Sequence, residues 1–264
     1  MYKISELKTL IPFDIETLPD SWEKMVESKK KVWIEKYHYR FVTQEIEHLK
    51  KKAAIDKKYP TLEGMTFPVP SFKDIYVKYA GLYPEFSSVW CISFGLFDLK
   101  NELTVSTLRD SSEKVMLEQW CEVLEHYEDY NLAGYNINDF DIPFLLARLQ
   151  YHGLNDKFPK QLQLRDAKPW TVKSVDFMND WKNSRREAVS LAVVCELLEV
   201  PTPKDEFNND EFTTLMTEGK ITELQGCTYC EKDVIALGRC MVKCATTNCN
   251  FAGEPAPKKV WTKK

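Results

Sequence analysis

The alternation of apolar and polar positions divides the chain into strand-like and helix-like stretches. Leu10-Ile-Pro-Phe-Asp14-Ile-Glu16-Thr-Leu-Pro19 reads as a strand with two acids toward its C-terminal end, closed by Pro19. Residues 21–58 contain neither Gly nor Pro. There Trp22, Met25, Val26, Val32, Trp33, Ile34, Tyr37, Phe41, Ile46 and Leu49 recur at near-helical spacing, which predicts one or two amphipathic helices. From Pro60 to Pro84 the prolines, Gly64 and Gly81 mark loops and turns. The β-forming runs 88–98 and 101–108 read as a hairpin turning near Lys100-Asn101. Ser111-Ser112 caps a helix expected over 113–127, with Leu117, Trp120, Val123 and Leu124 on one face. A short buried strand, 132–136, then leads into a helix over 140–152 that stops at Gly153. Beyond it the pattern gives helices at about 185–198, 210–218 and 222–245, and a further strand near 171–177. This order predicts an α/β fold, a mixed sheet flanked by helices. Residues 1–250 are expected to form one domain with a helical basic insertion over 20–64, and 251–264 to form a flexible basic tail.

Composition narrows the class. With 44% apolar and 29% charged residues, the chain is rich enough in core-forming side chains to argue against disorder. Its longest apolar runs, such as Val193-Val194-Cys195, fall far short of the roughly 20 residues that span a bilayer. The N-terminus lacks the apolar stretch of a secretory signal. A cytoplasmic, non-secreted protein without membrane contact is expected. The net charge of −4 hides an asymmetry: residues 21–60 hold eleven Lys or Arg against six Asp or Glu, a local +5, so the remainder carries −9. A solvated helical face accounts for that run. A basic segment beside carboxylates would also suit a polyanionic substrate. Cys227, Cys230, Cys240, Cys244 and Cys249 crowd the last 38 residues; without a Gly turn between the pairs they read as small apolar helix residues rather than a zinc site.

Three acidic clusters carry the chemistry. Asp14 and Glu16 are two apart on a strand, so both carboxylates face one side, where they repel unless a hard cation compensates them. Asn136-Ile-Asn-Asp139-Phe-Asp141-Ile-Pro143 lies between a strand and a helix, at the edge where α/β sheets place their sites, although a helix cap would explain either aspartate. Tyr229 and Asp233 are four apart on a helix and share a face.

D-x-E, then N-x-x-x-F-D, then Y-x-x-x-D, in this order, resembles the three motifs of the DEDD exonucleases. The tyrosine points to the DEDDy branch; the histidine of the sister branch is missing, since the last histidine is His152. Gly134-Tyr-Asn-Ile-Asn-Asp-Phe-Asp-Ile-Pro-Phe-Leu looks most like the proofreading exonuclease domain of family B DNA polymerases and its stand-alone relatives. The resemblance covers about 10–245, is sharp only in the motifs, and selects Asp141 over Asp139.

It implies a ribonuclease H-like mixed five-stranded sheet and a two-metal 3′–5′ exonuclease that uses Mg²⁺ or Mn²⁺ on single-stranded 3′ ends. Asp14 would bridge both ions, Glu16 and Asp233 would complete one site and Asp141 the other, and Tyr229 would orient water. Phe13, Leu18, Asn136, Phe140 and Phe144 flank the motifs as candidates for holding the strand. Trp33 with Lys29, Lys30 and Lys31 would grip it, or else dock a separate polymerase or replication protein. DNA is the expected substrate, in proofreading or repair; an RNA exonuclease and a non-catalytic nucleic-acid-binding module are the alternatives.

Overall fold

The computed structural model describes residues 3–55, 69–162, 174–183, 185–202 and 209–245. In chain order the elements are α1 (Ile4–Leu7), β1 (Leu10–Pro19), α2 (Glu27–Trp33), α3 (Tyr39–Ile55), α4 (Phe72–Tyr79), β2 (Ser87–Phe97), β3 (Leu103–Leu108), α5 (Glu113–His126), β4 (Asn131–Gly134), α6 (Asp141–Tyr151), β5 (Ser174–Asp176), α7 (Phe177–Lys182), α8 (Leu191–Leu198), α9 (Asn209–Thr217) and α10 (Glu223–Ala245). A π-helical turn, Ile34–His38, joins α2 to α3. The sheet runs β3-β2-β1-β4-β5. β1 pairs antiparallel with β2 and parallel with β4, so the strand that carries Asp14 and Glu16 is central. This is a mixed α/β architecture, a five-stranded mixed sheet flanked by helices, as in ribonuclease H-like exonucleases.

The pleat of β1 sorts its side chains between two cores. Ile11, Phe13 and Ile15 join Trp120 and Leu117 of α5 and Ile142 and Leu145 of α6 on one face. Leu10 joins Leu237 and Met241 of α10 and Val194 of α8 on the other. By the same alternation Asp14 and Glu16 point toward α10. The register slips just after Glu16, between the pairs Glu16↔Cys91 and Thr17↔Val89, and the ladder bends there.

A third cluster is built around Trp33, which has no solvent exposure and packs against Phe41, Tyr76 and Phe86. It fastens α2, α3 and α4 to the end of β1, where Thr17 Oγ1 donates to Gly81 O at 2.7 Å. The expected helix over 21–58 therefore begins only at Glu27, and part of it is π-helical. α4 falls where prolines had suggested only loops. Its signal was legible all the same: Ser71 accepts from Asp74 N–H while the Asp74 side chain accepts from Ser71 N–H, a capping box. The helix expected from 185 starts at Leu191, because Ser190 caps it by accepting from Val193 N–H. The hairpin turns as expected, with Asn101 at φ 63° and Asp98 Oδ1 accepting from the N–H groups of Lys100 and Glu102. Residues 56–64 of the expected insertion and the whole expected tail lie outside the described residues. Among the described residues no helix is long and apolar enough to cross a membrane.

One half-buried ion cluster locks α5 and α6 to the sheet. Glu113 accepts from Val89 N–H at 2.7 Å, from Arg148 Nε at 2.9 Å, and from Arg148 again at its other oxygen, and it meets His152 Nε2 at 2.7 Å. Burial alone would raise the Glu113 carboxyl, but the hydrogen bonds from Arg148, His152 and Val89 outweigh it and hold it below its ordinary value of 4.5. Its stabilisation is thus complete above that value and is lost as pH falls through the lower folded one. Replacing Glu113 by Gln strands the Arg148 charge and is expected to cost about 3 kcal/mol at pH 7, read from urea unfolding. The difference from wild type should shrink as the medium is acidified below about pH 4; a difference constant down to pH 3 would contradict the assignment.

Candidate active site

Three elements converge on one cavity of 430 Å³, whose wall includes Asp14 and Glu16 from β1, Asp141 at the start of α6, and Tyr229 and Asp233 from α10. Asp141 is buried and accepts from the main-chain N–H of Ile15 at 3.2 Å, which ties the head of α6 to the strand between the other two acids. Tyr229 is also buried, and Phe212 of α9 stacks on its ring at 4.9 Å and 17°.

Two polar devices set these positions. On the α10 side, Thr107 Oγ1 donates to the buried Glu231 at 2.9 Å, so the 2.8 Å contact between Ser93 and Thr107 has Ser93 as donor. That chain joins β2, β3 and α10, and fixes the rotation of the helix that presents Tyr229 and Asp233. On the loop side, Asp176 of β5 accepts from Asn136 N–H and Asn138 N–H, each at 3.1 Å, and from Asn179 N–H at 3.2 Å. The loop also needs Gly134, where a Cβ would sit 1.9 Å from Ile137 Cγ2, and a left-handed Asn136 at φ 68°, a conformation asparagine tolerates better than most residues. Asp176→Asn turns one acceptor into a donor facing an N–H group. It should destabilise the chain by about 1–3 kcal/mol in urea unfolding; an unchanged midpoint would remove the clamp from the account.

Sharing a cavity makes the acids resist one another's ionisation. Asp14 is raised well above the ordinary range, first by burial and then by Cys230, Asp141, Asp233 and Glu16. Glu16 is raised in the same way, by burial first and by Cys230, Asp233 and Asp141 after it. Burial pushes Asp141 up to about 7, against the opposing hydrogen bond from Ile15. Burial, with Glu16, Asp233 and Asp14 nearby, drives the Tyr229 phenol upward, so it stays protonated. A hard divalent cation is the chemical complement of such a set of oxygens.

The wall opposite the sheet comes from the basic insertion and its neighbour. Gln44 of α3 and Lys78 and Tyr79 of α4 line the cavity. Lys78 Nζ donates to both Glu45 oxygens at 2.9 and 2.8 Å, and Tyr79 donates to the same carboxylate at 2.5 Å. A smaller pocket of 250 Å³ continues past Gln44, Lys78 and Tyr79 to His48 and Lys51.

The expected strand-holding residues divide sharply. Asn136 and Phe140 line the cavity. Phe13 and Phe144 do not offer a face to a base: both are core residues, Phe13 packed on Trp120 at 5.5 Å. Leu18 packs beneath Tyr229 in the cluster around Trp90 and Phe212. Trp33 is sealed inside its own aromatic cluster. Lys29, Lys30 and Lys31, which face Asp20, Glu27 and Glu35, lie outside the cavity wall. Sequence reasoning missed Lys78, Phe212 and Asp176. Their roles depend on pairings across 33 to 40 residues or on a stack between two helices, which periodicity does not register.

Asp141 makes stability depend on pH when no divalent ion is present. Between its ordinary value of 3.8 and about 7 the folded chain holds a proton that the unfolded chain has released, so raising pH favours unfolding. In EDTA, the urea midpoint of the wild type should fall relative to that of Asp141→Asn between about pH 4 and 7 and run parallel to it above. Profiles that are parallel throughout would contradict the shift.

Residues 87–202 match the family model of the exonuclease domain of family B DNA polymerases, a span that contains Asp141 and ends before Tyr229. The chain is also 26% identical over 153 residues to a DNA polymerase of Phaeocystis pouchetii virus; the match takes in 53% of this chain and 13% of that polymerase, so the chain spans a small part of its relative's length. With the sheet and the cavity described above, these likenesses support a proofreading-exonuclease-like domain of the family B DNA polymerase kind in this chain.

Proposed function

We propose that residues 1–250 act as a single 3′–5′ exonuclease domain that hydrolyses the terminal phosphodiester of single-stranded DNA, working alongside a DNA polymerase in proofreading or repair. The observation that carries this reading is the meeting of Asp14, Glu16, Asp141, Tyr229 and Asp233 in the wall of one cavity. Asp14, Glu16, Asp141 and Asp233 would hold two divalent cations, Mg²⁺ or Mn²⁺. When bound, these would compensate the carboxylates, activate water and stabilise the departing 3′ oxygen.

The remaining work belongs to the chain's own groups. Tyr229, kept protonated, donates a hydrogen bond that orients the attacking water; it is too weak an acid to serve as a general base at neutral pH. Phe212 holds the phenol in place through its ring. Phe140 and Asn136 line the cavity, and the half-buried Phe140 ring there suits a splayed terminal base. Lys78, steadied by Glu45, offers a positive charge to a backbone phosphate at the cavity wall.

The test is release of mononucleotides from 5′-labelled single-stranded DNA, run beside a matched RNA. Shortening from the 3′ end should require Mg²⁺ or Mn²⁺, and Asp14→Ala should lower its rate by about a thousandfold or more. Activity that survives in Asp14→Ala, or the absence of any metal-dependent shortening, would overturn the nuclease reading. A stronger rate on RNA would overturn the assignment of DNA as substrate.

A further inference from the structure

Cys230 follows Tyr229 on α10 and is fully buried. Its Sγ lies 3.5 Å from Asp14 Oδ2 and 3.5 Å from the main-chain oxygen of Asp14. One donor atom from each of Asp14, Glu16 and Cys230 lies within 4.8 Å of the other two. A thiol among carboxylates changes the character of a cation site, because sulfur favours Zn²⁺ and Co²⁺ over Mg²⁺.

The spacing fits such an ion. With metal–sulfur and metal–oxygen bonds of about 2.3 and 2.1 Å, tetrahedral angles set sulfur and oxygen about 3.6 Å apart. The Sγ···Oδ2 separation of 3.5 Å is that edge. Cys91 of β2 hydrogen-bonds both Cys227 and Cys230, so the Cys91 and Cys227 thiols neighbour the Cys230 sulfur, whereas Cys240 does not join them. Cys240 lies ten residues farther along α10, about 15 Å by helical rise, and contacts Cys195 instead, Sγ to Sγ 3.6 Å.

We infer that the site takes a thiophilic divalent cation, Zn²⁺ or Co²⁺, through Asp14, Glu16 and the Cys230 thiolate, in competition with the hard ions of phosphodiester hydrolysis. The inference rests on the reading of Asp14 and Glu16 as metal ligands. Binding exchanges the thiol proton for the cation: one S–H bond breaks, one sulfur–metal bond forms, and the proton leaves to solvent with no change in oxidation state. A soft ion so held engages Asp14 and Glu16, and Zn²⁺ should block hydrolysis competitively with Mg²⁺.

Titration of the full chain with Co²⁺, followed by absorption, tests this directly. Wild type should develop the visible bands of tetrahedral cobalt together with a near-ultraviolet thiolate-to-cobalt band, and Zn²⁺ should bleach both. Cys230→Ser, shown to be folded by circular dichroism, should lose the thiolate band and bind Co²⁺ about tenfold or more weakly. Asp14→Asn should lose the band as well, while Cys195→Ser and Cys227→Ser keep it. Visible bands without the thiolate band in wild type would overturn sulfur ligation and leave the carboxylate site standing. A thiolate band that persists in Cys230→Ser would overturn the assignment to this residue. Absence of all cobalt bands in wild type would overturn both the inference and the metal-site reading beneath it.

Discussion

The structure is organised around an electrostatic debt: acids gathered at the middle of a sheet, where solvent is scarce. Carboxylates removed from water lose hydration, and each raises the others' resistance to ionising. Asp14, Glu16 and Asp141 all show this, with burial as the leading cause in each. Such an arrangement persists only where the rest of the fold is stable enough to carry it. The two apolar cores on either side of β1 and the Glu113–Arg148–His152 cluster provide that stability. In the proposed function divalent cations would complement these acids, because the same oxygens that repel one another would become a ligand set.

Precision in the site comes from polar contacts that lie outside it. β1 pairs with β4 as far as Pro12 and with β2 through Asp14 and Glu16, so the two acids start from a strand held along its β2 edge. Asp141 is bonded to that strand through Ile15, and the loop before it is pinned to β5 by Asp176. α10 is keyed by the Ser93–Thr107–Glu231 chain, and Phe212 braces Tyr229 from a separate helix. The four acids thus reach the cavity from three elements, each with its own anchor, which suits a site that must keep its shape while its charge state changes.

Much of this was legible in the sequence, for definable reasons. The strand at 10–19, the hairpin and the helices beginning at Glu113, Asp141 and Glu223 have strong periodicity, and Ser112 and Thr222 cap the first and last of those helices. Same-face spacing sent Asp14 with Glu16, and Tyr229 with Asp233, toward one point, because i, i+2 on a strand and i, i+4 on a helix are fixed by backbone geometry. What failed were judgements about environment. Trp33, Phe13 and Phe144 have the right chemistry to stack on bases, yet their depth in the core is a tertiary property. Lys29, Lys30 and Lys31 form a charge run in one dimension and three ion pairs in three. Lys78 carried no local signal, because its place beside the acids depends on how α4 packs against α3 and α9.

The central claim is that Asp14, Glu16, Asp141 and Asp233 together form one binuclear cation site. Anomalous scattering from crystals grown with Mn²⁺ and a short single-stranded oligonucleotide reports on this most directly. Two manganese peaks about 3.5–4 Å apart, within bonding distance of those four carboxylates, are predicted. Manganese bound elsewhere, or a cavity with neither peak while the oligonucleotide end occupies it, would contradict the account.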